Sequence, residues 1–409
     1  MPLRALSICG SFRGWTGHDR HVREFVREFA RQGLEIELAD FPMWSSAKLP
    51  NHMRDPWFAS LNQPCGAKIA LHFCMPHQVR RASLKRIVNY TMFEGTRIPS
   101  AWARASQGHA RVVVPSESSR RAWIAGGTPE QRVRICPLGV DPALFSAAAE
   151  PLQLRRQNGD PVSQYRVRVL HISDLGPRKN VPGLLRSWIR ATTARDDAML
   201  LIKAGAAPGA MESFRARLSA IERESGKALR DAAPVHIFKD VLPDAAMPNL
   251  YAAATHYISM SFGEGWDLPM MEAAAAGLKT IAPNHSAYQA YLDPASAILI
   301  PSREVPAAYS GDSATALLFA NANWWEPDQD EASRLIRSAI DGGDAWQASP
   351  RERILREFTW EKAARRLVEI LSEVEDERKR FFSWPRWYRS AAAESKRFPP
   401  VGRPSHDRS

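Results

Sequence analysis

Cysteine is scarce in this chain, long apolar runs are missing, and no dinucleotide-type glycine spacing occurs. The four cysteines, Cys9, Cys65, Cys74 and Cys136, are scattered over 409 residues without a C-x-x-C pair. That argues against a disulfide framework and a thiolate zinc site, and it fits a reducing cytoplasm. No apolar stretch approaches the ~20 residues that span a bilayer. The opening segment Met1–Cys9 runs too soon into glycine and charge for a secretory leader, and is expected to form a first buried strand. The loop Gly10–His18 is not G-x-G-x-x-G, so it carries no dinucleotide fingerprint. Internal repeats are lacking too. Net charge is +11, yet residues 378–409 hold nine Lys/Arg against two acids, a local +7. The rest is close to neutral, which argues against a nucleic-acid partner.

What is present is concentrated between Tyr257 and Gly277. A β-like run, Tyr257-Ile258-Ser259-Met260, leads into Ser261-Phe262-Gly263-Glu264-Gly265-Trp266-Asp267 and then Leu268-Pro269-Met270-Met271-Glu272. Pro269 suits a first helical position, where its missing N–H would be unpaired anyway. Alanines carry the helix, and Gly277 can end it in a left-handed cap. Glu264 is then on the loop and Glu272 one turn into the helix. A small-residue loop running into a helix N-terminus, with its free N–H groups and partial positive charge, suits a phosphate or diphosphate. The two carboxylates flank that place as acceptors for sugar and ribose hydroxyls.

At 409 residues, 44% apolar and 24% charged, the chain is a globular protein too long for one core. Strand-like runs fall near Leu3–Cys9, Glu35–Ala39, Ile69–Phe73, Ile87–Phe93, Arg111–Val114 and Val133–Cys136. The clearest helix is Asp19–Gln32, where Val22, Phe25, Val26 and Phe29 recur opposite a charged face. Residues 146–164 lack periodicity and read as a linker. A second series follows, with strands near Arg168–Ile172, Met199–Ile202, Val235–Phe238, Tyr257–Met260, Lys279–Ala282 and Ala297–Ile300. Helices are expected near Pro182–Thr193, Ala210–Glu222, Ala246–Thr255, Pro269–Ala276 and Ser286–Leu292. The expected fold is α/β, with two Rossmann-like doubly wound parallel-sheet domains facing across a cleft. The expected boundaries are 1–150 for the first domain, 151–165 for the linker and 166–358 for the second domain. A C-terminal helix over 359–390 and a basic, disordered tail over 391–409 would follow.

With these residues in view, the chain resembles the retaining GT-B glycosyltransferases of the group-1, family-four class, in a bacterial polysaccharide-type version. Glu264 and Glu272 match that family's E-x7-E pair inside its G-E-G-[FW]-x-L-P-x-x-E-A setting. Val112-Val113-Val114-Pro115-Ser116, Pro137–Phe145 (P-x-G-[VI]-D-x-x-x-F), Pro177-Arg178-Lys179-Asn180 with Leu184-Leu185, and Tyr90–Pro99 match further segments, in order and over most of the chain. The resemblance implies a hexose moved from a nucleotide-diphosphate sugar to a glycan or lipid-linked acceptor, in cell-surface polysaccharide synthesis. GDP-mannose is favoured by family habit, with a UDP-sugar second. Glu272 would bind ribose hydroxyls, Glu264 the transferred sugar, and Lys179 the diphosphate, cradled by backbone N–H groups from Gly265 through Trp266 and Asp267 to Leu268. No cofactor and no metal are implied, and no D-x-D element lies beside the site. Two departures stand out. Asp174 replaces an arginine common in relatives, and Asp267 a glycine. Arg178 and Lys203 are the expected compensating cations.

Other assignments stay open between two readings. Lys179 and Arg178 are either diphosphate ligands or solvated helix-start cations. Gly14 and Trp15 belong either to an acceptor-side loop approaching the donor or to a tight turn. His77 either lines the cleft or sits on the surface. Glu94, where relatives often carry histidine, is either a polar cleft group, counted with Glu264 and Lys179 as catalytic, or a surface acid. Arg97 either binds acceptor or forms an ion pair. Phe381, Phe382, Trp384 and Trp387 either pack on the first domain or, with the basic tail, anchor the protein peripherally on an anionic membrane at its cytoplasmic face. The alternative functions are a non-catalytic sugar-nucleotide-binding partner and a nucleotide-sugar epimerase.

Overall fold

The computed structural model describes residues 3–41, 48–80, 85–146, 148–205, 210–309, 313–343 and 348–383. Apolar runs buried on both faces form two six-stranded parallel sheets. The first contains β1 (Ala5–Gly10), β2 (Glu35–Asp40), β3 (Ile69–Phe73), β4 (Arg86–Tyr90), β5 (Arg111–Val114) and β6 (Val133–Ile135), in the order β2-β1-β3-β4-β5-β6. The second contains β7 (Val167–Ser173), β8 (Ala198–Ala204), β9 (Val235–Phe238), β10 (His256–Ile258), β11 (Lys279–Pro283) and β12 (Ile298–Ile300), in the order β12-β11-β10-β7-β8-β9. The second order is the Rossmann one. Strand order reverses between β1 and β3 in the first sheet and between β7 and β10 in the second, with every strand still parallel, so ligands are expected off those strand ends. The expected two-domain α/β architecture is the observed one.

Three features differ from the sequence reading. The strand expected over Ile87–Phe93 stops at Tyr90, and Thr91–Glu94 turn into the cleft. The Gly17–Arg31 helix has no wholly solvated charged face, because Asp19, Arg20, Arg23, Glu24 and Glu28 are buried as well. After β12 the chain makes an excursion the sequence did not announce. It comprises β13 (Ser302–Pro306), the Ser313–Phe319 helix and β14 (Asn323–Pro327), with β13 and β14 antiparallel. This strap leaves the second sheet and docks on the first. Thr96 N–H donates to Asn323 O at 3.1 Å, and Asn323 N–H to Thr96 Oγ1 at 2.8 Å. Phe319, Ala322 and Trp324 join Phe93, Ile98, Trp102 and Trp123 in one apolar cluster. Each large side chain so buried contributes about 1.5–3 kcal/mol.

The last helix, Trp360–Ser383, packs on the Gly17–Arg31 helix and on β3 and β4. Trp360 meets the Phe25 ring at 5.6 Å, and Glu377 pairs with Arg111. Phe381 and Phe382 fall in its last turn. Trp384, Trp387 and the basic stretch beyond lie outside the described residues, and with them the membrane reading of the tail. Among the described residues no helix is long and apolar enough to cross a membrane. Cys9, Cys74 and Cys136 are buried free thiols. Burial pushes Cys74 up to about 12, so it is inert as a nucleophile.

Candidate active site

The loops after β7 and β10 meet at the reversal point of the second sheet. After β7 a short turn, Pro177–Lys179, ends at Asn180 in the left-handed conformation (φ 50°). The Asn180 side chain caps the Val181–Ala191 helix through Gly183 N–H at 3.1 Å and donates to Met260 O at 3.0 Å. That turn directs both basic side chains at one carboxylate. Lys179 Nζ lies 2.6 Å from Glu264 Oε1 and Arg178 Nη1 3.0 Å from Glu264 Oε2. Arg178 also donates to Gly263 O at 2.6 Å and reaches Glu94 at 3.8 Å. Burial opposes charge on Glu264, but Arg178 and Lys179 outweigh it and hold the carboxyl at about 2. The glycines of this loop permit close approach to the first half. A Cβ on Gly263 would stand 2.5 Å from Glu94 O, and one on Gly265 2.7 Å from Met92 Sδ.

The helix N-terminus is not an open anion site. The Leu268–Ala275 helix starts one residue before Pro269 and is capped by Asp267, in the left-handed conformation at φ 67°. Asp267 Oδ1 accepts from Met270 N–H at 3.3 Å, and Oδ2 from the Tyr288 hydroxyl at 2.8 Å. The carboxylate thus occupies the end where a phosphate was expected. Burial, and then the nearby Glu264, push Asp267 up to about 6. Asp174 is turned into its own loop and accepts from Gly176 N–H at 2.8 Å.

Glu272 is buried within that helix, and both its oxygens are engaged. Arg20, from the Gly17–Arg31 helix of the first half, pairs with Oε1, and the Tyr251 hydroxyl donates to Oε2 at 2.8 Å. Burial raises the Glu272 carboxyl, and Arg20 and Tyr251 offset only part of the rise. Beside it is a cavity of about 120 Å³ lined by Trp15, Arg20, Lys203, Lys239, Leu268 and Glu272, among others. Lys203 stands at the end of β8, its pKa lowered by burial against a smaller opposing effect of Asp240. The cavity is lined from both halves, at the carboxyl ends of the second sheet.

A second cavity of about 290 Å³ lies between the first sheet and the strap, lined by His18, His21, Glu94, Trp102, Arg178 and Phe319, among others. Glu94 and Arg178 connect it to the Glu264 cluster. His21 is 1% exposed with both ring nitrogens unpartnered among the described residues, and burial lowers its pKa well below the usual histidine range.

Several expected residues do not join either cavity. Trp266 is a core residue, its ring 5.2 Å from that of Tyr291 and its indole N–H on Met271 Sδ at 3.3 Å, so its backbone alone faces the loop. His77 is exposed, with its ring 6.3 Å from Trp102, and it lies outside the cavity lining. Arg97 is exposed and in neither cavity. Gly14 supplies structure: its N–H donates to Asp19 at 2.9 Å and its carbonyl accepts from Arg23 at 2.6 Å. Buried Asp19 organises that whole loop, also accepting from Ser11 at 2.5 Å. Arg20, Tyr251, His18 and His21 were not foreseen. Their signal was positional, since Arg20 opens the helix that follows a strand-end loop.

Residues 166–316 match the family described as Glycosyl transferases group 1. Sucrose-phosphate synthase from Thermosynechococcus elongatus superimposes with a TM-score of 0.63 at 14% identity, over 91% of this chain and 100% of that one. Anabaena HepE, solved with UDP and glucose, gives 0.62 at 13%, over 90% and 100%. The lipopolysaccharide outer core galactosyltransferase WaaB gives 0.56 at 13%, over 91% and 100%. At such identities these neighbours establish the fold, which is GT-B. No curated protein sequence matches the chain.

Proposed function

We propose that this group 1 glycosyltransferase moves a hexose, with retention of configuration, from a nucleotide-diphosphate sugar to a glycan or lipid-linked acceptor. The observation that carries this reading is the convergence of Glu272, Lys203 and Arg20 on one cavity, with Glu272 on the same loop-to-helix segment as Glu264 of the Glu264–Lys179–Arg178 cluster. Glu272 takes the ribose hydroxyls. Lys179, with Arg178 beside it, stabilises charge growing on the leaving diphosphate. Glu264 orients the transferred sugar, and Glu94 faces the acceptor in the second cavity. Fixed charges in a water-poor site act most strongly where charge develops, and they hold the acceptor hydroxyl beside the leaving group. The complexes of HepE with UDP put a uridine donor beside the GDP-mannose favoured from sequence. Asp267 at the helix mouth favours a second reading, a binder of sugar nucleotides without turnover.

Release of nucleoside diphosphate from UDP-glucose and GDP-mannose separates the two. Turnover of either donor, with or without acceptor, is expected, and it should survive EDTA. Donor binding without release would establish the second reading. Collapse on chelation would mean that a metal offsets Asp174 and Asp267.

A further inference from the structure

Glu272 cannot present a free carboxylate to a ribose as it stands. Arg20 holds one oxygen and Tyr251 the other. Arg20 is 6% exposed, belongs to the opposite half of the molecule, and lines the same cavity as Lys203 and Lys239. Its Nε is buried without a hydrogen-bond partner among the described residues and stands 4.0 Å from Asp244 Oδ1. Asp244 is itself held to the first half by Arg23, at 2.9 and 3.3 Å. The cavity of about 120 Å³ is below the ~300–1,000 Å³ of ordinary ligand sites. The guanidinium therefore stands where a donor must enter. Meanwhile the usual anion hold at the helix end is occupied by Asp267, and Lys179 and Arg178 are paired with Glu264.

We propose that Arg20 exchanges partners when the donor binds: it leaves Glu272 for the diphosphate, and the released carboxylate takes the ribose diol. Arg20 is thereby a donor-binding residue supplied from the acceptor-side half, and it selects nucleoside diphosphates over nucleosides. The guanidinium suits both partners, since its fork of donors matches carboxylate and phosphate alike. Arg20 exchanges one anionic partner for another, while the Glu272 carboxylate keeps the Tyr251 hydroxyl and gains the two ribose hydroxyls as donors in place of its cation. In the empty protein the same contact latches the two halves together. The inference rests on the donor reading of this cavity.

Calorimetric titration of UDP, uridine, GDP and guanosine into the full chain and into Arg20→Ala tests it. The variant should bind the diphosphate more weakly and the nucleoside more tightly, because a phosphate ligand and a competitor for Glu272 are both removed. The ratio of nucleoside to diphosphate dissociation constants should fall at least tenfold, and Arg20→Lys should restore part of it. An unchanged ratio, whether both affinities drop together or neither moves, overturns the exchange. If Arg20→Ala does not fold, the ratio in Arg20→Lys decides, and it must lie below that of the parent. If the parent binds neither diphosphate, the donor reading itself fails and the exchange with it.

Discussion

Glu264 and Glu272 stand on the same loop-to-helix segment, yet their charges are met in opposite ways. Glu264 draws Arg178 and Lys179 from its own half, through the turn after β7. Glu272 draws Arg20 from the other half, across the cleft. Burial works against charge on both. Two cations overcome it at Glu264, whose carboxyl is held at about 2, whereas one arginine and one phenol leave Glu272 raised. The difference separates a cluster drawn wholly from one half of the molecule from a pair that spans the two halves. On the proposed function, charge for catalysis is preorganised in the first, and the second is the pair that the donor would rearrange.

The largest effect should come from breaking the preorganised cluster. Lys179→Ala removes the charge proposed to act on the leaving diphosphate, and kcat should fall about 10²–10³-fold, or roughly 2.7–4 kcal/mol, with a smaller change in KM. Steady-state donor turnover reads this directly, and a rise in KM alone would show uniform binding instead.

Stability against pH sharpens the comparison inside one loop, where two neighbouring acids have opposite signs. The Glu264 carboxyl lies below its ordinary value, so its ion pairs stabilise the fold above about pH 4.5, and that contribution is lost as pH falls toward 2. The Glu264→Gln variant should be roughly 3 kcal/mol less stable than the parent at pH 7, with the gap closing in acid. Asp267 lies above its ordinary value, at about 6, so the folded state holds its proton more tightly than the unfolded one. Its ionisation destabilises the fold as pH rises from about 4 to 6. Asn also tolerates the left-handed cap. The Asp267→Asn variant should gain on the parent across that window by somewhat less than 3 kcal/mol. Urea unfolding at several pH values measures both, and parallel curves would mean that neither carboxyl is shifted.

The two glutamates were legible in the sequence because both belong to a spaced motif on one strand–loop–helix unit. The alternation of apolar runs likewise placed twelve strands in two sheets. Contacts between distant segments were not legible. Arg20 and Arg23 read as part of a solvated helix face, and they are buried because the second half covers that face. The strap was invisible for a related reason. Its first strand, Ser302-Arg303-Glu304-Val305-Pro306, carries two charged residues in five, and its apolar anchors Phe319 and Trp324 bury themselves on another sheet. Asp267 was noticed as an oddity, but its cap depends on a backbone φ that sequence does not display. The sequence leaves Arg178 open between a diphosphate ligand and a solvated helix-start cation. A tight turn ending in left-handed Asn180 brings both it and Lys179 to Glu264. His77 and Arg97 were drawn in by proximity to strand ends, and they are exposed because the local turns carry them outward.

The most direct test of the account is whether Glu272 recognises the donor's ribose. Calorimetry with UDP and 2′,3′-dideoxy-UDP, and with the guanosine pair, should be run on the parent and on Glu272→Ala. Hydrogen bonds to a charged carboxylate are worth about 1.5–3 kcal/mol each, so the parent should prefer the ribose form at least tenfold. In Glu272→Ala that preference should vanish. A variant that keeps the parent's full preference would contradict the assignment, because the ribose hydroxyls would then be held elsewhere.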